Sequence, residues 1–251
     1  MYIIHTFALI VLELTQITYS KPKKRFLLTD FEMTYVYCAY REYALELYKK
    51  LTKKYNMTLI TDPKKLTFNY LKKAKPKIIF FPDWSWIIPS DIIKNFICVC
   101  FHESNLPKFR GGSPIQNQII RGITKTKTTA FIMNDKLDSG DILLQKNLSL
   151  EGSLDDIFSR MKKNDYELII KIIKGKIRKR KQTGIPTYFP RRKPEESELK
   201  NLNYSNLYIY NFIRMLADPY PNAFVKVGKK KIVFKLAKYD GKKIKFNGEI
   251  I

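Results

Sequence analysis

The chain has 251 residues, of which 45% are hydrophobic and 14% aromatic. This length and composition give room for one domain with a substantial core and a smaller appendage, and they exclude intrinsic disorder, collagen-like repeats and coiled coil as descriptions of the whole. The 47 Lys and Arg residues against 23 Asp and Glu leave a net charge of +24, which favours a polyanionic partner. Most of these cations are lysines in a chain also crowded with Ile, Asn, Tyr and Phe, a bias that AT-rich coding produces without any binding. A nucleic-acid partner is therefore open but not favoured.

The first 19 residues form an apolar run that no basic residue precedes and that polar residues interrupt. The run is short for a membrane-spanning helix, and no small-residue cleavage site follows it, so neither a membrane span nor a signal peptide is favoured. We predict that residues 1–32 are an N-terminal extension outside the fold and that the protein is cytoplasmic. The alternatives are an appended strand or helix, a membrane anchor, or translated upstream sequence before a true start at Met33.

Cysteine and histidine are both scarce. The three cysteines are too few for a disulfide scaffold, and Cys98 and Cys100 would share one face of a strand as reduced thiols. A tetrahedral metal site needs four ligands, and with only His5 and His102 available no spacing supports one. We predict no metal site.

From residue 34 the apolar pattern alternates between strand and helix. The predicted elements are strands over 34–40, 57–61, 77–81, 97–101, 128–134 and 142–148, and helices over 41–55, 66–74, 91–96 and 113–122. Such alternation predicts an α/β fold with an open, mostly parallel Rossmann-like sheet, whose ligand crevice lies at the carboxyl ends of the strands. The first strand is not followed by a glycine-rich phosphate loop, so a dinucleotide-dependent enzyme is not expected.

The fourth strand runs directly into His102 and a loop rich in Gly and Pro. Ser113 would cap the helix that follows, with Pro114 in its first turn. Asp138 lies in a second loop, at 135–141, between the last two predicted strands. Each residue alone is more often structural than catalytic. Together they form a candidate pair, because a carboxylate that reaches an imidazole fixes its tautomer and raises its basicity.

The segments HESNLPKFRGGSPIQ, from His102, and LDSGDILLQ, from Leu137, together resemble the signature of the folate-dependent formyltransferases. The resemblance covers roughly residues 33–240. It implies transfer of a formyl group from 10-formyltetrahydrofolate to an amine, either on methionyl-tRNA, on a glycinamide nucleotide or on a nucleotide-linked amino sugar.

The resemblance also implies roles for residues. His102 and Asp138 would be catalytic, and Cys100 occupies the place of the family's asparagine, where a thiol is a weaker oxyanion donor than an amide. FPDWSWIIP, from Phe81, resembles the segment that wraps the folate ring, although these residues could equally be core. The implied cofactor-binding residues are Trp86, Ile87, Ile88, Ser104, Asp135 and Leu137, with Ser104 expected mainly to shape its loop. The implied substrate-binding residues are Arg110, Gly111, Gly112, Ser113 and Pro114.

After a predicted helix over 153–175, the basic run 176–184 would be either a solvated helix end or a phosphate contact. The next segment, YFPRRKPEESEL, resembles an element of formyltransferases that act on nucleotide-linked amino sugars. This resemblance continues over 211–239, where a helix, a turn and two strands are predicted. We expect a catalytic domain over 33–187 and a small α+β domain over 188–251, which is short for the carboxyl-terminal barrel of methionyl-tRNA formyltransferases.

The sequence therefore favours an N-formyltransferase of nucleotide-linked amino sugars, and it leaves a homodimer open. The alternatives are a methionyl-tRNA formyltransferase or a catalytically lapsed basic RNA-binding homologue.

Overall fold

A six-stranded sheet lies at the centre of this computed structural model, which describes residues 33–175 and 177–251. The predicted extension over 1–32 lies outside the described residues. The strands are β1 (Thr34–Ala39), β2 (Asn56–Ile60), β3 (Ile78–Asp83), β4 (Cys98–His102), β5 (Arg110–Gly111), β6 (Lys125–Ile132), β7 (Ile142–Ser149), β8 (Tyr188–Phe189), β9 (Phe224–Val227), β10 (Lys230–Tyr239) and β11 (Ile244–Ile250). The helices are α1 (Glu42–Leu51), α2 (Phe68–Ala74), α3 (Ser90–Asn95), α4 (Pro114–Ile119), α5 (Leu154–Ile173) and α6 (Asn206–Arg214).

The central sheet has the strand order β2-β1-β3-β4-β6-β7. Its first four strands are parallel, whereas β6 runs antiparallel to β4, and β7 antiparallel to β6. The predicted open, mostly parallel α/β sheet is confirmed. Its parallel part places the carboxyl ends of β1, β3 and β4 side by side.

Helices cover both faces of the parallel strands, and every residue of β3 is buried, as expected for a strand in such a sheet. The side chains of β1 alternate between two clusters. Tyr35 and Tyr37 pack with residues of α1 and α5, whereas Val36 and Cys38 pack with residues of α2 and α3. This alternation follows from the two-residue period of a strand.

The two helices nearest the predicted catalytic loops begin differently. Helix α5 begins with a capping box, in which Ser153 and Asp156 satisfy each other's backbone N–H groups. The prediction that Ser113 caps α4 is wrong. Its φ of 50° lies in the left-handed region and its side chain caps nothing, because its Oγ accepts a hydrogen bond from the backbone N–H of Arg192 instead (3.1 Å).

The carboxyl-terminal part consists of α6 and a three-stranded antiparallel sheet in the order β11-β10-β9. The predicted helix, turn and strands are present, with β11 as an additional strand. Phe212 and Ile213 of α6 and Phe234 of β10 share one apolar cluster with Ile157 of α5. The small domain therefore packs on the same helix that covers the central sheet.

The basic segment after α5 is not a helix end. Helix α5 ends at Ile173, and residues 177–184 continue without helical structure, with a backbone bridge between Arg180 and Ile142. The segment thereby returns along β7 toward the predicted catalytic loops. Among the described residues, no helix is long and apolar enough to cross a membrane. Cytoplasmic localisation stays a prediction.

Candidate active site

A cavity of about 1040 Å³ opens at the carboxyl ends of the parallel strands. Its wall includes Arg41, which follows β1, Asp83, which ends β3, and His102, which ends β4. This is the position expected for a ligand crevice in an open α/β sheet. The loop carrying Asp138 and residues before and after α6 complete the wall.

His102 is held by its own loop. Its Nε2 lies 2.7 Å from the backbone oxygen of Phe109. Since a carbonyl oxygen can only accept, Nε2 carries the proton and donates it. The other ring nitrogen, Nδ1, is 3.8 Å from Asp138 Oδ2. Neutral His102 therefore presents its lone pair toward Asp138, and protonated His102 would form an ion pair with it.

Asp138 is held by hydrogen bonds to both its side chain and its backbone. Its Oδ2 accepts a hydrogen bond from the N–H of Gly111 (2.7 Å). Its own backbone oxygen accepts from Gln182 Nε2, which also donates to the oxygen of Gly140 (both 2.9 Å). These bonds hold a residue whose φ of 46° is unusual for a side chain other than glycine.

Cys100 lies in the cavity wall as a free thiol. Its Sγ donates to the backbone oxygen of Phe101, at 3.6 Å. Desolvation, followed by the nearby charge of Asp138, raises the pKa of this thiol well above its usual value. It is therefore a neutral, weak donor rather than a nucleophile.

Trp86, Ile87 and Ile88 all line the cavity, as do Asp135 and Leu137 of the opposite loop. Trp86 packs against Trp84 and Tyr40, with 4.9 Å between ring centroids in each pair. The indole Nε1 of Trp84 is buried without a hydrogen-bond partner in the part of the chain that the structure describes. This side of the cavity thus offers flat apolar walls and an unused donor.

Gly111, Gly112, Ser113 and Pro114 also line the cavity. A Cβ on Gly112 would lie 2.3 Å from the Cα of Arg191. The segment that follows β8 therefore packs so closely against this position that only glycine fits there. The close approach brings Arg191 and Arg192 into the wall.

Two residues of the predicted site do not line the cavity. Ser104 is fully buried, and its Oγ donates to the oxygen of Lys108 (2.6 Å), so it shapes the loop. The guanidinium of Arg110 turns away, where Nη2 donates to Gln182 Oε1 and Nη1 to the hydroxyl of Tyr188 (both 2.7 Å). Arg110 therefore supports the Gln182 side chain that holds Asp138.

Arg41, Asp83 and Glu103 line the cavity although sequence reasoning did not select them. All three stand at the carboxyl end of a parallel strand, and that position was the available signal. Arg41 contacts Asp83 through both its backbone N–H (3.0 Å) and its guanidinium. Glu103 is 9% exposed. Burial, with the neighbouring charge of Asp83, raises the pKa of its carboxyl to about 8.

Within residues 33–175 and 177–251, no group of three or more His, Cys, Asp or Glu residues is arranged to hold a metal ion. The groups that line the cavity include an imidazole, a thiol, carboxyl groups and guanidinium groups, with one apolar side.

Two family models match the chain. The formyl transferase model matches residues 44–173, and the model of the methionyl-tRNA formyltransferase C-terminal domain matches residues 194–251. The first match ends with α5, and the second begins five residues after β8.

Individual relatives agree with this assignment. The methionyl-tRNA formyltransferase of Thermodesulfovibrio yellowstonii is 33% identical over 187 residues, which cover 70% of this chain and 60% of the relative. The chain spans about half the length of several other curated methionyl-tRNA formyltransferases that it matches.

The solved structure of methionyl-tRNA formyltransferase from Clostridium thermocellum superposes with a TM-score of 0.83 at 40% identity, covering 87% of this chain and 99% of that one. A likely sugar N-formyltransferase from Mycobacterium tuberculosis superposes with a TM-score of 0.69 at 19% identity, covering 84% and 100%. At that identity the second likeness shows a shared fold alone. With a family model covering more than half of its residues, the chain belongs to the formyl transferase family.

Proposed function

We propose that the protein transfers a formyl group from 10-formyltetrahydrofolate to the amino group of methionyl-tRNA. The observation that carries the acceptor is the carboxyl-terminal segment, which matches the C-terminal domain of methionyl-tRNA formyltransferases over residues 194–251. This reverses the preference of the sequence for a sugar acceptor, which rested on the shortness of that segment and on the resemblance of residues 188–199 and 211–239 to sugar formyltransferases.

The charge of the small domain supports a nucleic-acid acceptor. Between Phe224 and Ile250 the sequence has nine lysines against Asp240 and Glu249. Lys238 and Lys245 are exposed and stand directly opposite each other on β10 and β11. Like charges in such a pair destabilise a sheet, so binding of phosphate groups gives a reason to place them there.

The formyl donor fits the apolar side of the cavity. Trp84 and Trp86 would contact the flat ring of the folate, and Nε1 of Trp84, which has no hydrogen-bond partner among the described residues, would donate a hydrogen bond to it. The rest of the folate would contact Ile87, Ile88, Asp135 and Leu137. When bound, 10-formyltetrahydrofolate would supply the formyl carbon.

His102 and Asp138 are the proposed catalytic pair. His102 moves protons through Nδ1 while Nε2 stays bonded to Phe109, and Asp138 stabilises the imidazolium when it forms. Cys100, with its weak thiol donor, faces the place where the oxyanion would develop. The acceptor bound beside this pair would contact four residues that line the cavity, Gly111, Gly112, Ser113 and Pro114.

A nucleotide-linked amino sugar is the second candidate acceptor. It is supported by the YFPRRKPEESEL element, whose Arg191, Arg192 and Lys193 line the cavity and could contact phosphate groups.

One experiment separates these acceptors. The full chain is incubated with 10-formyltetrahydrofolate and either initiator methionyl-tRNA or a panel of nucleotide-linked amino sugars, and formylated products are identified by mass spectrometry. We expect formylmethionyl-tRNA, with a KM that rises steeply with salt because salt weakens binding that depends on many phosphate groups. Formylation of a sugar alone would overturn the tRNA proposal, and binding of tRNA without transfer would indicate a lapsed RNA-binding homologue.

A further inference from the structure

Three buried carboxyl groups, Asp83, Glu103 and Asp165, lie close together, since the charge of Asp83 raises the pKa of Glu103 and the charges of both raise the pKa of Asp165. Burying such groups without partners is unfavourable. Their surroundings differ, and the difference singles out one of them.

Asp83 already has hydrogen-bond partners, and Asp165 is inaccessible. Both oxygens of Asp83 accept hydrogen bonds from Arg41, one from its backbone and one from its guanidinium. Asp165 is 0% exposed and does not line the cavity. Neither is therefore available to a ligand.

Of the three carboxyl groups, Glu103 alone both lines the cavity and has an oxygen without a hydrogen-bond partner among the described residues. It lines the cavity, and its Oε1 is buried with no hydrogen-bond partner among the residues the structure describes. Its backbone is held in place, since Gln118 Nε2 donates to its carbonyl oxygen at 2.6 Å. It directly follows His102, and its charge helps to raise the pKa of the Cys100 thiol.

We propose that Glu103 is a further catalytic residue, which receives the amino group of the acceptor and takes its proton before the nitrogen attacks. This inference rests on the proposed function. The apolar side chains of Phe158, Met161 and Leu216 line the same cavity and can surround the rest of the acceptor's aminoacyl group.

The protons and bonds balance. When the amine binds, the Glu103 carboxyl first releases its own proton to solvent. The acceptor ammonium then gives one proton to the Glu103 carboxylate, and the carboxylic acid so formed loses that proton to solvent after the transfer. The free nitrogen forms its bond to the formyl carbon, and the carbonyl oxygen becomes an oxyanion. When the carbonyl double bond forms again, the carbon's bond to the folate nitrogen breaks. A second proton passes from the attacking nitrogen to His102, and His102 delivers a proton to the departing nitrogen.

The electrostatic surroundings suit this exchange. A carboxyl pKa of about 8 is close to the roughly 7.7–8.0 of a free α-amino group, so a proton moves between the two groups at little cost. The ionisable and charged groups that act on Glu103 or are acted on by it come from several elements: Arg41, Tyr43, Asp83, Cys100, Asp138, Asp165 and Tyr220.

Proton release on amine binding tests the role without any transfer reaction. The full chain is titrated calorimetrically with methionine amide at pH 7, in two buffers of different ionisation enthalpy. Free ammonium and free carboxyl hold two protons and their complex holds one, so wild type should release roughly half to one proton per amine bound. Glu103→Gln should release none. Release by the variant equal to that of wild type, or no release by wild type, would overturn the inference.

Turnover supplies the second readout, with the acceptor that the wild type formylates. Glu103→Gln should lower kcat at least about 100-fold while leaving the affinity for 10-formyltetrahydrofolate unchanged, as expected for loss of a general base. Glu46→Gln is the matched control, because Glu46 is exposed and paired with Lys162 at the surface. Should Glu103→Gln fail to fold, Glu103→Met must give the same loss. Normal kcat in a folded variant would contradict the role, whereas transfer by wild type to neither acceptor would contradict the proposed function and leave the proton-release result to decide on Glu103.

Discussion

The N–H of Gly111 donates to Asp138 Oδ2 at 2.7 Å, whereas Nδ1 of His102 lies 3.8 Å from the same oxygen. The carboxylate is thus fixed by the loop that follows the histidine, and it is near the imidazole without a hydrogen bond to it. Such an arrangement leaves Nδ1 free to accept a proton and stabilises the ring once it is charged. The Gly111–Asp138 hydrogen bond therefore positions the carboxylate of the proposed catalytic pair.

Removal of either member of that pair should reduce turnover strongly. We expect His102→Ala and Asp138→Ala each to lower kcat at least about 100-fold, the range for a positioned acid or base. Asp138→Asn is the informative control, because its amide oxygen can still accept from Gly111 while the negative charge is gone. Steady-state kinetics that find near-normal kcat for Asp138→Asn would limit Asp138 to holding the loop.

Gln182 should matter although it touches neither His102 nor the cavity. Gln182→Ala removes the donor to the carbonyls of Asp138 and Gly140 and leaves Nε and Nη2 of Arg110 without their acceptor. We expect kcat to fall roughly 10- to 100-fold through misplacement of Asp138, with little change in the affinity for 10-formyltetrahydrofolate. Lys181→Ala is the neighbouring control, since Lys181 is exposed and pairs with Asp141. Equal kcat values for Gln182→Ala and Lys181→Ala would mean that this hydrogen-bond network does not affect catalysis.

Cys100 offers a test in which a substitution is expected to keep or raise kcat. An amide is a stronger hydrogen-bond donor than a neutral thiol, so Cys100→Asn should leave kcat equal or higher if an oxyanion forms beside it. The measurement is kcat for the same acceptor, with the melting temperature as a check on packing. A severe loss of kcat in a stably folded variant would mean that the surroundings of Cys100 are adapted to sulfur.

The lysine pair on β10 and β11 distinguishes tRNA from a small acceptor. Replacing Lys238 and Lys245 by Gln should weaken binding of tRNA and reduce the slope of log affinity against log salt by roughly 1 for each of these lysines that binds a phosphate. Stability should not fall, because a repulsive cross-strand pair is removed. Filter binding at several salt concentrations gives the slope, and an unchanged slope would mean that tRNA binds to other residues.

The apolar periodicity of the sequence was sufficient to predict the parallel strands and to place His102 at the carboxyl end of one of them, because both depend on local apolar patterns. The orientation of Arg110 was not accessible in that way, since it depends on residues 177–184 returning along β7 to bring Gln182 within reach. The conformation of Ser113 likewise follows from the arrival of Arg192. Glu103 was missed because its burial is produced by neighbours distant in sequence, whereas its position beside His102 was visible.

The stability of the protein should reveal the ionisation of Asp165. This residue is 0% exposed, and neither carboxylate oxygen has a hydrogen-bond partner among residues 33–175 and 177–251. Burial, and then the charges of Glu103 and Asp83, raise its pKa well above the usual value.

For an acid whose pKa is higher in the folded state, the folded protein holds the proton more tightly than the unfolded chain. The stabilisation is fully present below the unfolded pKa of about 3.9 and is lost as pH rises toward the folded pKa, by up to about 1.4 kcal/mol per pH unit. Asp165→Asn cannot ionise, so its free energy of unfolding should fall less between pH 5 and pH 8 than that of wild type. Asp155→Asn, exposed on the same helix, should keep the wild-type slope. Urea unfolding of the full chain at several pH values gives these slopes, and a slope for Asp165→Asn equal to that of wild type would mean that the Asp165 carboxyl is charged or solvated in the folded protein.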